Sequence, residues 1–323
     1  MSRTLATGEA VAGSWTRAGR RLRGDRVGLA FVALLALIVV ACLAAPVYAS
    51  AVAGTGPAEN HITDTVEVHG RTVDVVSLEG IPVGPTWHRA YLLGADGNGR
   101  DVAVRLLYGA RNSLTIGAIA ALISILLGTA AGEHAGFVRG RTETVVMRGL
   151  DVVWSFPVLL AGVAVGTTLA LQDARAASKI VTALLIGVVS VPYVARPVRA
   201  RVIAVRTQPF VEAAVLQGAG TSRIMARELL PNVSFTLVAI FTVLFTNAVV
   251  LEAALSFLGA GVRPPDPSLG TMINDGLRTF TASPHLLLAP CAVLTLTVLA
   301  VNLVGDAVRR ALDPHAVVTG PQP

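Results

Sequence analysis

The chain has 323 residues, 53% of them hydrophobic and only 14% charged, with a mean hydropathy of +0.66. That is too apolar for a water-soluble domain of this length and points to a polytopic membrane protein. The net charge of +6 would suit a nucleic-acid binder, but the arginines fall between apolar runs with no aromatic-rich basic platform beside them. Lipid headgroups and control of topology account for them better, and nucleic acid is excluded as a partner.

Little here suggests chemistry. Cys42 and Cys291 lie inside apolar runs, as packing residues rather than a disulfide framework. Lys179 is the only lysine and Ile180 follows it, so no phosphate-binding loop exists. There is no Ser/His/Asp set, no carboxylate pair in a cleft and no metal-spaced cluster; His61, His69 and His88 are scattered. The expectation is a non-enzyme with no catalytic, cofactor-binding or metal site of its own.

In chain order, the polar segment 1–26 carries six arginines and precedes an apolar run over 27–49. A basic start, an apolar core and the small residues Ala49-Ser50-Ala51 imitate a secretory signal. The run is nearer a full span than a signal core, and more spans follow, so it reads as an uncleaved first helix with a cytoplasmic amino terminus. Residues 50–111 are mostly polar and read as an external loop with an interfacial helix. In it, the alternation over Thr65 to Val76 predicts a β-hairpin turning at His69-Gly70. Asp96 to Gly99 predict a turn, and Asp101 to Arg111 an amphipathic helix.

Residues 112–308 hold the remaining spans. The second covers Leu114 to Ala131, with Gly128 and Gly132 four apart. His134 to Arg148 reads as a short basic loop. The third span covers Val152 to Leu171 and is kinked by Pro157, either as a gate hinge or as passive packing. A loop with Asp173, Arg175 and Lys179 leads to the fourth span, Ile180 to Val194, and then to Arg196, Arg199, Arg201 and Arg206. The fifth span covers Val233 to Leu258 and the sixth Leu286 to Val304, before a tail over 309–323. Polar groups within spans are Asn247, Glu252, Asn302 and Asp306. Glu252 is costly if it faces lipid, so it either contacts substrate or a gate, or serves as a structural hydrogen-bonding group. Asn247 is a second candidate for the path.

Between the fourth and fifth spans lies the polar insert Glu212 to Asn232, EAAVLQGAGTSRIMARELLPN. Thr207 can cap and Pro209 can open a short helix that stops at Gly218 and Gly220. Thr221 or Ser222 can cap a second, carrying Arg223, Arg227 and Glu228, which must end or turn at Pro231.

Glu212-Ala213-Ala214, Gly218 and Leu230-Pro231, at this spacing, resemble the "EAA" signature of ABC importer membrane subunits, with Glu228 where an apolar residue or histidine is usual. Leu93 to Leu114 (LGADGNGRDVAVRLLYGARNSL) resembles the dipeptide, oligopeptide and nickel branch, with Ala95 in place of threonine. Met147 to Asp151 with Ser155-Phe156-Pro157, the stretch Ser256 to Gly270 and the ending Asp306 to Pro314 resemble it too, with Leu269 where tryptophan is usual.

The resemblance implies an all-α fold of six transmembrane helices, the type I importer permease fold, with a small external loop domain. It implies that coupling helices over 208–231 dock on separate ATPase subunits through Glu212, Ala213, Ala214, Gly218, Arg223, Arg227, Leu230 and Pro231. It further implies a second permease subunit, two ATPase subunits that bind ATP and magnesium, and an external substrate-binding protein at a bacterial plasma membrane. Peptides are the expected cargo, with nickel or another small solute as alternatives.

With six spans and both termini cytoplasmic, seventeen of the 26 lysines and arginines fall inside and nine outside, the bias of the positive-inside rule. An ion-driven secondary transporter would need more intramembrane ionisable groups than Glu252, and no repeat is visible. A non-transport scaffold would leave the spacing of the insert unexplained.

Overall fold

The computed structural model describes residues 25–68, 70–171 and 175–312. The tail arginines before Asp25, His69, Asp173 and the ending at Pro314 lie outside the described residues. Asp25 caps α1 (Arg26–Leu43), its Oδ1 accepting from the Gly28 amide at 2.9 Å. Two short helical turns, Ala45–Tyr48 and Ala49–Ala53, carry the chain to Gly54, whose φ of +69° ends the run.

Strands β1 (Thr65–Val68) and β2 (Arg71–Asp74) form the expected hairpin. Val68 pairs with Arg71, which leaves two residues for the turn, and Gly70 supplies a φ of +75°. Val75, Tyr91 and Ala95 form a small core beneath it. The Tyr91 hydroxyl donates to the Gly99 carbonyl, and burial pushes it up to about 12.

The central element is α2 (Val102–Val138), a single helix of 37 residues. At 1.5 Å per residue it spans about 55 Å, far beyond a hydrocarbon core of about 30 Å. Two expectations are corrected by it. Asp101 to Arg111 is not a separate interfacial helix, because Asp101 is the N-cap of α2: its Oδ1 accepts from the Ala103 and Val104 amides. His134 to Val138 is not loop either, but the last turn of the same helix.

Arg139, at φ +59°, separates α2 from α3 (Gly140–Ser155). α4 (Val158–Leu171) follows after Phe156 and Pro157, bent by 72° from α3. Phe156 is extended, the conformation that a following proline favours, so the helix expected to kink at Pro157 is interrupted there instead. α5 (Arg175–Val189) and α6 (Val191–Val205) run as one apolar stretch over Ala177–Val205, longer than the span expected over Ile180 to Val194.

α6 extends because its valines have a use. Val194, Val198 and Val202, four apart and fully buried, pack on Gly128, Gly132 and Gly136 of α2, also four apart. The third glycine is one that the sequence reading missed.

After the polar insert comes α9 (Leu230–Phe257); its predecessors α7 (Pro209–Leu216) and α8 (Thr221–Ile224) are described below. α10 (Leu269–Arg278) opens with a capping box between Ser268 and Thr271, and α11 (His285–Leu312) closes the described chain. Among the described residues, five helices are long and apolar enough to cross a membrane, and the bent α3–α4 pair makes a sixth crossing when taken as one span. The chain is a multi-pass α-helical membrane protein.

α1 and α11 meet at their ends. Arg310 donates to Asp25 Oδ2 at 2.8 Å, and Gly28 is closed against Ala307.

Candidate coupling site

α7 begins at Pro209 with Gln208 as an extended N-cap. Thr207 does not cap it; its hydroxyl donates back to the Ala204 carbonyl. α7 ends in a Schellman motif: the Gly218 amide donates to the Val215 carbonyl at 2.9 Å and the Ala219 amide to the Ala214 carbonyl at 3.1 Å. Gly218 has a φ of +75° and nothing within 4 Å of where a β-carbon would stand. Its role is conformational, since it reverses the chain at a position that other L-residues adopt only with strain.

Gly220 is the N-cap of α8, so neither Thr221 nor Ser222 caps it. The second helix also does not end at Pro231. A π-helical turn, Met225–Leu229, joins α8 to α9, so helix is continuous from Thr221 to Phe257. The wide turn explains why a proline is tolerated: the Leu230 amide reaches five residues back to Met225, and the ladder is already shifted where Pro231 lacks an N–H. Asn232 Nδ2 donates to the Glu228 carbonyl at 2.6 Å, satisfying an acceptor that the turn leaves open.

The insert has two faces. Inward, Val211, Ile224 and Leu229 are buried with Val198, Val202 and Val205 of α6 and Val233 of α9, and Ala214 packs at their edge. Outward, Glu212, Ala213, Arg223 and Arg227 are exposed, and none of the three charged groups makes an ion pair among the described residues. Beside them Val215 and Leu216 are 52% and 87% exposed. Leu230 is partly exposed and Pro231 half-buried at the junction with α9. The result is a helix pair anchored from behind, with an apolar and charged front that nothing among the described residues covers.

The other predicted path residues lie elsewhere. Glu252 is 22 residues beyond Leu230 on α9, about 33 Å away along the helix. It is fully buried; its Oε1 accepts from Ser256 Oγ at 2.6 Å, the Ser113 and Ser268 hydroxyls lie alongside, and Ser256 Oγ in turn accepts from the Val262 amide. Oε2 has no hydrogen-bond partner. Within this chain the carboxyl ties α9 to α2 and to the start of α10, which favours the structural of its two readings. Asn247 is exposed; the polar contact between α9 and α11 is made by its neighbour Thr246, which donates to Asn302 at 3.1 Å. Pro157 is exposed at the bend between α3 and α4.

Sequence reasoning missed several groups. Arg196 and Arg199 are not only loop charges. They pair with Asp151 and Glu143 of α3 at 2.7 Å, and Arg196 stacks over Trp154 at 4.0 Å, pinning α3 to α6. Glu133, on α2, is buried as well. At the hairpin end of the molecule, Asp96 makes an Asx turn with the Asn98 and Arg100 amides and bridges both the Arg100 and Arg105 guanidiniums, at 2.7 and 3.2 Å.

Comparison with known proteins agrees with this architecture. Residues 124–318 match the family described as binding-protein-dependent transport system inner membrane component. The dipeptide transport system permease protein of Haemophilus influenzae is 33% identical over 296 residues, covering 90% of each chain. The di/tripeptide transport system permease protein of Pseudomonas aeruginosa is 38% identical over 71% of this chain and 75% of its own. The glutathione transport system permease protein of Pectobacterium atrosepticum is 35% identical over 70% and 73%. Among solved structures, an inward-facing form of the MetNI methionine ABC transporter aligns with a TM-score of 0.51 and 18% identity, over 65% of this chain and 96% of that one, which shows a shared fold.

Proposed function

Because the chain belongs to the binding-protein-dependent transport system inner membrane components, a family of permeases rather than enzymes, we propose that it is the membrane subunit of an ATP-driven peptide importer. It forms half of the translocation pathway beside a second permease. ATP and magnesium are bound and turned over on two partner ATPase subunits, and an external binding protein delivers the solute. The amino and carboxyl termini and the insert face the cytoplasm, and residues 50–101 face outside.

The observation that carries this reading is the helix pair α7–α8. Its inner face is locked into the valine core of α6 and α9, and its outer face presents Glu212, Arg223, Arg227, Val215 and Leu216 without a partner among the described residues. Such a surface, apolar at the centre and charged around it, is what a docked protein would cover. Movement of an ATPase groove would push the pair, and the continuous helix from Thr221 to Phe257 would pass that push into the bundle.

The experiment is to purify the tagged chain from its own membranes in mild detergent and identify its partners by mass spectrometry, beside Glu212→Lys and Gly218→Asp. Wild type is expected to bring two ATPase subunits and a second permease. Both variants should reach the membrane at normal abundance, lose the ATPases and abolish uptake. Normal uptake by either variant, or a wild-type chain that purifies alone, would overturn the assignment.

A further inference from the structure

At the hairpin end of the bundle two cavities, of about 210 and 340 Å³, share a common lining of Asn98, Arg100, Arg105, Asp275 and Arg278. Arg105 is 3% exposed and Arg100 7%. The Nε atoms of both are engaged by Asp96, and one terminal nitrogen of Arg105 donates to the carbonyls of Pro57 and Pro265. The remaining Nη2 groups of both arginines point toward Asp275 and stop short of it, at 4.0 and 3.9 Å. That is ion-pair range but beyond a hydrogen bond. Asp275 is itself half exposed, and Arg278, one turn of α10 away, makes no ion pair among the described residues.

Two buried guanidiniums thus hold donors toward a cleft without hydrogen-bonding acceptors. Three positive charges face two negative ones, and Asp96 is fully committed to its turn and to both Nε atoms. A planar oxyanion between the Nη2 groups would complete their hydrogen bonds; arginine forks favour carboxylates for this reason. We propose that this cleft is a carboxylate-binding site for the free carboxylate of a small peptide entering the pathway. The proposal rests on the peptide-importer reading, and a free carboxylate is what dipeptides, tripeptides and glutathione have in common. Asp275 acts there as a resident competitor, facing the donors that the incoming carboxylate takes.

The test uses the purified full-length chain in detergent and two probes, N-acetyl-dialanine with a free carboxyl terminus and the same peptide as its terminal amide, followed by saturation-transfer NMR. The free acid should bind at least about tenfold tighter than the amide. Asp275→Asn should tighten it further, because it removes the competing charge, and Arg278→Gln should weaken it. A merely structural ion-pair network would not produce that opposition of sign. Equal binding of acid and amide, no binding of either, or no tightening in Asp275→Asn overturns the proposal. Copurification of ATPase subunits, read on the same preparations, reports separately on the importer assignment.

Discussion

Gly132 of α2 and the carbonyl oxygen of Ala195 on α6 leave no room between them for one methyl group: a β-carbon on Gly132 would stand 2.6 Å from that oxygen. The neighbour is backbone in a helix, so it cannot swing aside. Gly132→Leu is therefore expected to force the α2–α6 seam apart and cost about 1–3 kcal/mol, as overpacked interiors do. Gly149→Ala, with nothing within 4 Å on α3, is the control and should be neutral or slightly stabilising. Thermal unfolding of the two variants in the same detergent checks this, and equal melting would refute a seam closed by these glycines.

Asp25, just before the first span, and Arg310, at the end of α11, provide a pH-dependent contact. The Gly28 amide, first, and the Arg310 guanidinium hold the Asp25 carboxyl below its ordinary value of 3.8. A carboxyl depressed in the folded state stabilises fully above its unfolded value and loses that contribution as the pH falls through the lower folded one. The latch between α1 and α11 should thus be intact at neutral pH. Asp25→Ala should melt earlier than wild type at pH 7, with the gap closing as the buffer is taken below 3.8. A gap that persists unchanged in acid would mean that Asp25 acts through something other than its charge.

The spans were legible because partition between water and lipid acts on every apolar window, so Val27 onward and Leu286 onward announce themselves. The hairpin was legible from its alternation and Gly70, and the insert from the spacing between Glu212 and Pro231. Helix that continues beyond the apolar stretch was not. His134 to Val138 reads as loop by composition, yet nothing in it breaks a helix, and the ladder runs on until Arg139. Pro157 announces a change of direction but not its size, 72°. Partners such as Glu143 and Arg199, 56 residues apart, are invisible before the helices are placed. For Glu252 only the cost in lipid could be read in advance; the serines that receive it come from three separate segments.

The π-helical turn between α8 and α9 yields the last prediction. With proline at 231 the α-helical alternative is closed, since the ring would meet the carbonyl four residues back, at a cost of about 3 kcal/mol. Pro231→Ala opens that alternative, in which the turn Met225–Leu229 tightens and α8 rotates about the axis of α9 by about 100°, one residue of helix. Ile224 and Leu229, now 2% and 0% exposed, resist the rotation because it would draw them from the valine core. The expected outcome is a segment shared between two windings: faster amide exchange over 221–229, unchanged exchange in α9 beyond Val233, and weaker stimulation of the proposed partner ATPases by transported solute. Hydrogen exchange by mass spectrometry, with an ATPase assay on the reconstituted complex, checks both halves. Stimulation at the wild-type level with faster exchange would show that the insert transmits motion without needing a fixed winding. Unchanged exchange would show that proline does not hold the turn at all.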